Sequence, residues 1–357
     1  MRVAVLGAGV IGLSIAWRLA RDGHTVELFD DHPGQGASFA AAGMLAPGSE
    51  AWYGETGLLR LGLDSLRRWP RFAADLATDS PTDPWLATTG TLMVGATAGD
   101  AAELDRVARL LAQHEVRAEV LDRARTQALE PGLSAHVQRV VSVPDDSSVH
   151  NRRLITALRE ACEARGVTWH AERADVVGAD SVRGRGSHLQ HRVDRVVVAT
   201  GADTAGVRPV KGQILRLRGS RPLITRTVRA VVAGTAVYAV PRRDGETVLG
   251  ATTEEQGFDT RVTVEGAHGL LRHALAILPG LRDFEIVEQI ARSRPGTSDN
   301  LPMIGRDGET VLATGHYRSG VLLAPLTAEA VSALVTGEAP PAEIDVCDPN
   351  RLQGASL

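Results

Sequence analysis

Three glycines and one acid near the start of the chain have the types and spacing to hold a dinucleotide. Gly7, Gly9 and Gly12 lie in the run GAGVIG, and Asp30 follows eighteen residues after Gly12. In such a pattern the first glycine permits a tight turn and the second lets backbone approach a pyrophosphate. The third lets a helix pack closely on a strand. Val10 and Ile11 open that helix, whose free amides and partial positive charge suit phosphate, while Asp30 is placed to accept from the adenosine ribose. Asp31 is carried with the cofactor set, although a solvated neighbour is the simpler reading. A second group lies near the other end, in ATGHYRSGVLLAPLT. There a glycine-flanked loop, 315–320, precedes a helix whose N-terminus would stabilise negative charge that gathers on reduction.

The elements that must position these residues are legible around them. Residues 3–6 read as a short buried strand, and Ile11, Ile15 and Leu19 recur at helical spacing until Gly23. A second strand, 25–29, leads to Asp30. The loop 34–47 is rich in small residues, so Ala37, Ser38, Ala42, Gly43 and Met44 can pass close to a bulky ligand. A helix over 151–165 carries Leu154, Leu158 and Cys162 on one face, which makes Cys162 a core residue. A strand over 167–170 follows, with Ala174 beyond it. The apolar run 193–199 reads as a buried parallel strand ending at Gly201, where such sheets bind ligands. Late in the chain a strand ends at Thr314 and a helix spans about 321–335, stopping at Gly337. Between these lie a hairpin, 235–241 and 247–251 around RRDG, and a strand over 286–293. Residues 346–357 read as a loose tail containing Cys347.

Composition excludes other classes. The 357 residues are 43% hydrophobic and 23% charged, a globular balance with room for a large core. A net charge of −4 gives no basic field for nucleic acid or an anionic membrane. Two cysteines, Cys162 and Cys347, are too few for a disulfide framework and lack metal-ligand spacing. The apolar run 3–16 is interrupted by glycines and shorter than the ~20 residues a membrane span needs. A cytoplasmic protein without metal is the expectation. Of 39 basic residues only Lys211 is lysine, so scattered arginines carry little information. The lone lysine hints at a place where a compact ammonium works better than a fork.

Four segments together resemble the D-amino-acid oxidase and sarcosine oxidase superfamily of flavoenzymes. They are GAGVIG with Asp30, the SFAAAGML loop, PVKGQ (209–213), and SRPGTSDNLPMIG joined to ATGHYRSGVLLAPLTA. The last two specifically resemble the glycine oxidases of the thiamine pathway, the ThiO type. The resemblance covers nearly the whole chain and is weakest over about 95–145. It implies an α/β fold: a discontinuous Rossmann-like FAD-binding domain of the GR2 type, with a second α+β substrate domain on a mostly antiparallel sheet. The first would comprise 1–83, 145–207 and 296–345, the second 84–144 and 208–295.

The resemblance also assigns residues. FAD would contact Gly7, Gly9, Val10, Ile11, Gly12, Asp30 and Asp31, the small-residue loop from Ala37 to Met44, and Ala174 and Gly201. Its flavin end would meet His316, Tyr317, Arg318, Ser319, Gly320, Val321 and Leu322. Arg294 matches the family's carboxylate-binding arginine, since its planar fork binds a carboxylate bidentately. Tyr238 matches a tyrosine whose hydroxyl also reaches that carboxylate, and Arg318 a residue near substrate and flavin. His316 reads as a flavin contact, because hydride transfer from a neutral amine needs no general base. Three positions depart from the pattern. Thr253 stands where these glycine oxidases have methionine, Ala236 where several have histidine, and Arg292 where the family has a small residue. No cysteine occurs in 291–306, where some sarcosine oxidases attach flavin, so FAD is expected to be held non-covalently.

The activity implied is FAD-dependent oxidative deamination of glycine, extending to sarcosine or small D-amino acids. Dioxygen would be the acceptor, the products imine or glyoxylate, ammonia and hydrogen peroxide, and the destination thiazole for thiamine. The alternatives are a flavin-dependent dehydrogenase or oxidase acting on another small amine, and a non-catalytic dinucleotide-binding regulator. A homo-oligomer, a tetramer by family habit, is expected.

Overall fold

The computed structural model describes residues 1–352. Two large sheets organise it. The six-stranded sheet runs, edge to edge, Met303–Asp307, Thr310–Thr314, Arg195–Val198, Arg2–Leu6, Thr25–Phe29, Thr168–His170. All neighbours pair in parallel except the Met303–Asp307 edge. Parallel strands need apolar side chains on both faces because crossovers cover them. The run Val3, Ala4, Val5 and Leu6, all buried, meets that need.

On one face lie four helices, Val10–Arg21, Thr56–Asp79, Asn151–Ala164 and Gly320–Thr336, which close one core with the sheet. The other face carries a three-stranded sheet of Ala174–Gly178, Ser181–Gly184 and Gln190–Arg192, sealed by Leu6, Phe29, Val182 and Val193. Gly12 shows why the first helix starts where it does: a Cβ there would run into the Gly7 carbonyl. The helix can therefore sit directly against the turn, with Gly7 at φ +97°.

The eight-stranded sheet begins at Glu285–Gly296 and continues through Arg208–Arg218, Glu246–Gly250, Thr235–Pro241 and Thr227–Val232. It ends with Thr91–Gly95, Arg139–Val143 and Glu119–Leu121. Every pair is antiparallel except Thr227–Val232 with Thr91–Gly95. Helix Val264–Ile277 covers one face and buries Leu270, Ala274 and Ile277 against it. The opposite face meets the small-residue loop, where Ala40 and Ala42 pack on Ile214, Val240, Val248 and Ile290.

Three expectations change. The strand carrying Arg294 runs to Gly296, so Arg294 lies within it and not just past its end. The loop 34–47 contains one helical turn, Ala37–Ala40, and a two-residue strand, Met44–Leu45. The tail is not loose as far as it is described. Ala342–Cys347 and Pro349–Leu352 form short 3-10 helices, and Ile344 and Cys347 join the main core. Apolar burial holds these turns where composition suggested none; residues 353–357 of the expected tail lie outside the described residues. Among the described residues no helix is long and apolar enough to cross a membrane.

Candidate active site

A single cavity of about 1070 Å³ opens where the two sheets face each other. One end is walled by the carboxyl ends of the parallel strands, the place where open α/β sheets hold ligands. Gly7, Gly9, Val10, Ile11, Asp30, Asp31, Ala174 and Gly201 all line it, as do Ala37, Ser38, Ala42, Gly43 and Met44. The first helix has no side-chain cap at Gly9, so its first amides are left for a ligand; the Ser38 hydroxyl accepts one, from Val10, at 2.9 Å. The Asp30 carboxylate accepts from the Ala8 amide at 2.6 Å and the His32 amide at 2.7 Å, fixing it at the cavity edge. Asp31 is not merely solvated: it pairs with Arg173, whose other partner is Asp203. Gly12 lies behind the cavity wall, where its task is helix packing.

The 315–320 loop returns the chain to this cavity. His316 is buried and its Nε2 lies 3.0 Å from the Thr327 hydroxyl; burial pushes its imidazole down to about 3. It is therefore a neutral wall group at physiological pH. The Tyr317 amide donates to the Pro295 carbonyl at 2.7 Å, docking the loop beside Arg294. Arg318 pairs with Glu55, which also accepts from Asn300 at 2.7 Å. Arg318 thus has a carboxylate partner inside the chain. Gly320 and Val321 line the main cavity, whereas Ser319 and Leu322 turn toward a neighbouring void of about 20 Å³ that Arg318 also touches. The Leu322 carbonyl is held by the Ser65 hydroxyl at 2.6 Å and the Trp69 indole at 2.9 Å, anchoring the helix start.

The other wall is the eight-stranded sheet. Residues directly opposite in adjacent strands share a face. Arg229, Tyr238, Gly250 and Ile214 are consecutive partners across four strands, and Gly212 pairs with Arg292. Two glycines make space on this face: a Cβ at Gly250 would strike the Tyr238 hydroxyl, and one at Gly212 the Arg294 guanidinium. Both side chains therefore lie flat across the sheet. Burial pushes the Tyr238 phenol up, and the charge and hydrogen bond of Arg294 oppose it. Arg294 donates to the Thr252 carbonyl at 3.1 Å, and among the described residues no carboxylate pairs with it. Arg292 donates to the Gln35 carbonyl at 2.8 Å, tying the strand to the cofactor loop. Thr253 and Ala236 also line the cavity.

Two further features complete the site, one that sequence reading missed and one, Lys211, whose place it left open. Arg229 and Glu50 line the cavity, yet nothing in their spacing marks them. Lys211 is 1% exposed, with its Nζ 3.4 Å from Glu254. Against the burial that would raise it, hydrogen bonds from Thr252, Gln213 and Lys211 hold the Glu254 carboxyl below the usual range. Since the Thr252 carbonyl receives Arg294, Lys211 stands at the back of a chain of contacts that ends at the cavity.

Comparison with known proteins gives one consistent result. Residues 2–334 match the family described as FAD dependent oxidoreductase, DAO. A glycine oxidase of Pseudomonas aeruginosa is 32% identical over 366 residues, covering 95% of this chain and 96% of that one. A bifunctional ThiO/ThiG protein of Trichormus variabilis is 34% identical over 92% of this chain, but the chain spans only 52% of that protein's length. The crystal structure of glycine oxidase from Geobacillus kaustophilus superposes with a TM-score of 0.91 at 29% identity. It covers 97% of this chain and 98% of that one.

Proposed function

The chain belongs to the FAD dependent oxidoreductase family, and from that premise we propose that it oxidises glycine or a similarly small amino acid to the imine. Its cofactor is FAD. The residues fit such a group: a helix start without a side-chain cap, an acid at the ribose position, and a wall of small residues where any bulk would intrude. When bound, FAD accepts a hydride from the substrate Cα and passes the two electrons to dioxygen, giving hydrogen peroxide.

The observation that carries the reading is Arg294. It is a guanidinium without an ion-pair partner among the described residues, laid over Gly212 beside Tyr238 in the cofactor's own cavity. An uncompensated cation there is costly unless an anion joins it. We assign the substrate carboxylate to it, with the Tyr238 hydroxyl as second donor. The Lys211–Glu254–Thr252 contacts hold Arg294 in place, and Arg318, locked to Glu55, shapes the wall near the flavin. The backbone amides at the start of the first helix, with the Val10 amide already given to Ser38, would hold the pyrophosphate, and the Asp30 carboxylate the ribose. The Gly315–Gly320 loop and the start of the helix after it line the cavity and would favour negative charge on a reduced flavin bound there.

After the Cα–H bond breaks, the imine takes up water to give glyoxylate and ammonia, or is captured for thiazole formation. Neither cysteine lines the cavity, which supports non-covalent FAD. By the same reading the FAD-binding part is 1–83, 145–207 and 296–345, and the substrate part 84–144 and 208–295. We place the reaction in the cytoplasm, whose amino-acid pool it would draw on. The test is peroxide release by the FAD-loaded protein over a panel of glycine, sarcosine and small D-amino acids. Release with none of them would overturn the proposal.

A further inference from the structure

We propose that the cavity contains a subsite for a second carboxylate, built on Arg229, so that the preferred substrate is a small amine bearing two carboxylates. This rests on the reading of Arg294 as the first carboxylate anchor. Arg229 is the direct partner of Tyr238 across the Thr227–Val232 and Thr235–Pro241 strands, and so shares its face of the sheet. Tyr238 lies between the two cations: its ring crosses Gly250 toward Arg294 on one side, and Arg229 flanks it on the other. Burial disfavours ionisation of its hydroxyl while the charges of Arg294 and Arg229 favour it and that of Glu50 opposes them, so these groups share one electrostatic space.

Arg229 has donors to spare. It gives one hydrogen bond to the Ser49 carbonyl, and Glu50 stands 3.9 Å from its Nη2, the outer limit of an ion pair. A guanidinium carries five N–H donors, most of which a carboxylate could still engage. The wall around it is open. Ala236, two residues before Tyr238 on the same strand face, is small and lines the cavity with Thr253. The charge balance points the same way. Arg229, Arg294 and Arg318 all line the cavity; Arg318 is neutralised by Glu55, and Glu50 is the acid nearest Arg229. A substrate with one carboxylate satisfies Arg294 and leaves Arg229 with its weak partner, whereas a dicarboxylate satisfies both. The second carboxylate binds only; the bond broken and the electrons moved are those of the primary reaction.

The experiment compares matched pairs with FAD-loaded protein: N-carboxymethylglycine against sarcosine, and D-aspartate against D-alanine. The first pair tests a carboxylate linked through nitrogen, the second one linked through Cα. The expected result is a kcat/KM ratio above about tenfold in favour of the dicarboxylate in at least one pair. In Arg229→Leu that ratio falls ten- to hundredfold, and Arg229→Lys restores part of it. The flavin spectrum titrated with succinate and with propionate gives the same comparison without turnover. A wild-type ratio of one or less in both pairs overturns the subsite, and so does an equal loss for both members of each pair in Arg229→Leu. A wild-type protein that oxidises none of the four and glycine overturns the amine-oxidase reading, with the subsite falling alongside it.

Discussion

The Arg294 guanidinium lies over Gly212 on the neighbouring strand, in the space that any side chain at 212 would need. The glycine and the arginine are therefore one device, and Gly212→Val should break it. Valine suits a strand, so the melting temperature should change little. The displaced guanidinium should raise KM for glycine on the order of tenfold or more. Steady-state kinetics beside a thermal melt check this, and an unchanged KM would contradict it.

Lys211 is the support behind that device. Lys211→Met leaves Glu254 without its cation, and should destabilise the protein by about 1–3 kcal/mol, less than a fully buried pair because Glu254 is partly exposed. Lys211→Arg should also destabilise, because a larger fork must enter a slot with 1% exposure. Urea denaturation reads both; a neutral Lys211→Arg would show that the slot has room.

How much of this was legible in the sequence depends on how far apart the partners lie along the chain. The glycine turn, the first helix and Asp30 are local and could be read directly, because each residue's task follows from its neighbours. Arg294 stood out only through the Arg-Pro-Gly-Thr context. Arg229 is one arginine in an alternating strand, and period-two patterning cannot say which face meets a cavity. Lys211 and Glu254 are joined across the sheet, so their pairing had no spacing signal. The segment 346–357 looked loose because few apolar residues mark it, yet Cys347 packs into the main core and Pro349–Leu352 forms a 3-10 turn.

Acid should destabilise the fold through two histidines. Burial pushes His316 to about 3, and burial with the Arg242 and Arg216 charges pushes His150 to about 4, against an ordinary value of 6.5. As pH falls from 6.5 the unfolded chain takes up protons that the folded chain refuses, so stability is lost on that side. Asp146 works in the opposite sense: burial raises it to about 6, so its contribution fades as pH rises toward 6. Two groups outweigh one, and stability should fall between pH 6.5 and about pH 5. In His316→Gln the fall should be shallower, with His150 left to contribute. Equal slopes in the two proteins would refute the assignment.

Asp30 holds the turn and lines the cavity where we propose the ribose binds. Asp30→Ala removes the acceptor of the Ala8 and His32 amides. FAD rebinding to the apoprotein should weaken about 10- to 100-fold, through one or two charge-assisted hydrogen bonds. Fluorescence titration of FAD would measure it, and wild-type affinity would remove Asp30 from the cofactor site.

The most direct measurement is anaerobic reduction of the flavin by glycine, followed by absorbance in wild-type protein and in Arg294→Ala. One bidentate charge-assisted contact contributes about 2–4 kcal/mol, so the glycine concentration for half-maximal reduction should rise about 30- to 1000-fold in the variant. Its flavin should remain bound with an unaltered spectrum. Reduction at the same glycine concentration in both proteins would contradict the account at its centre.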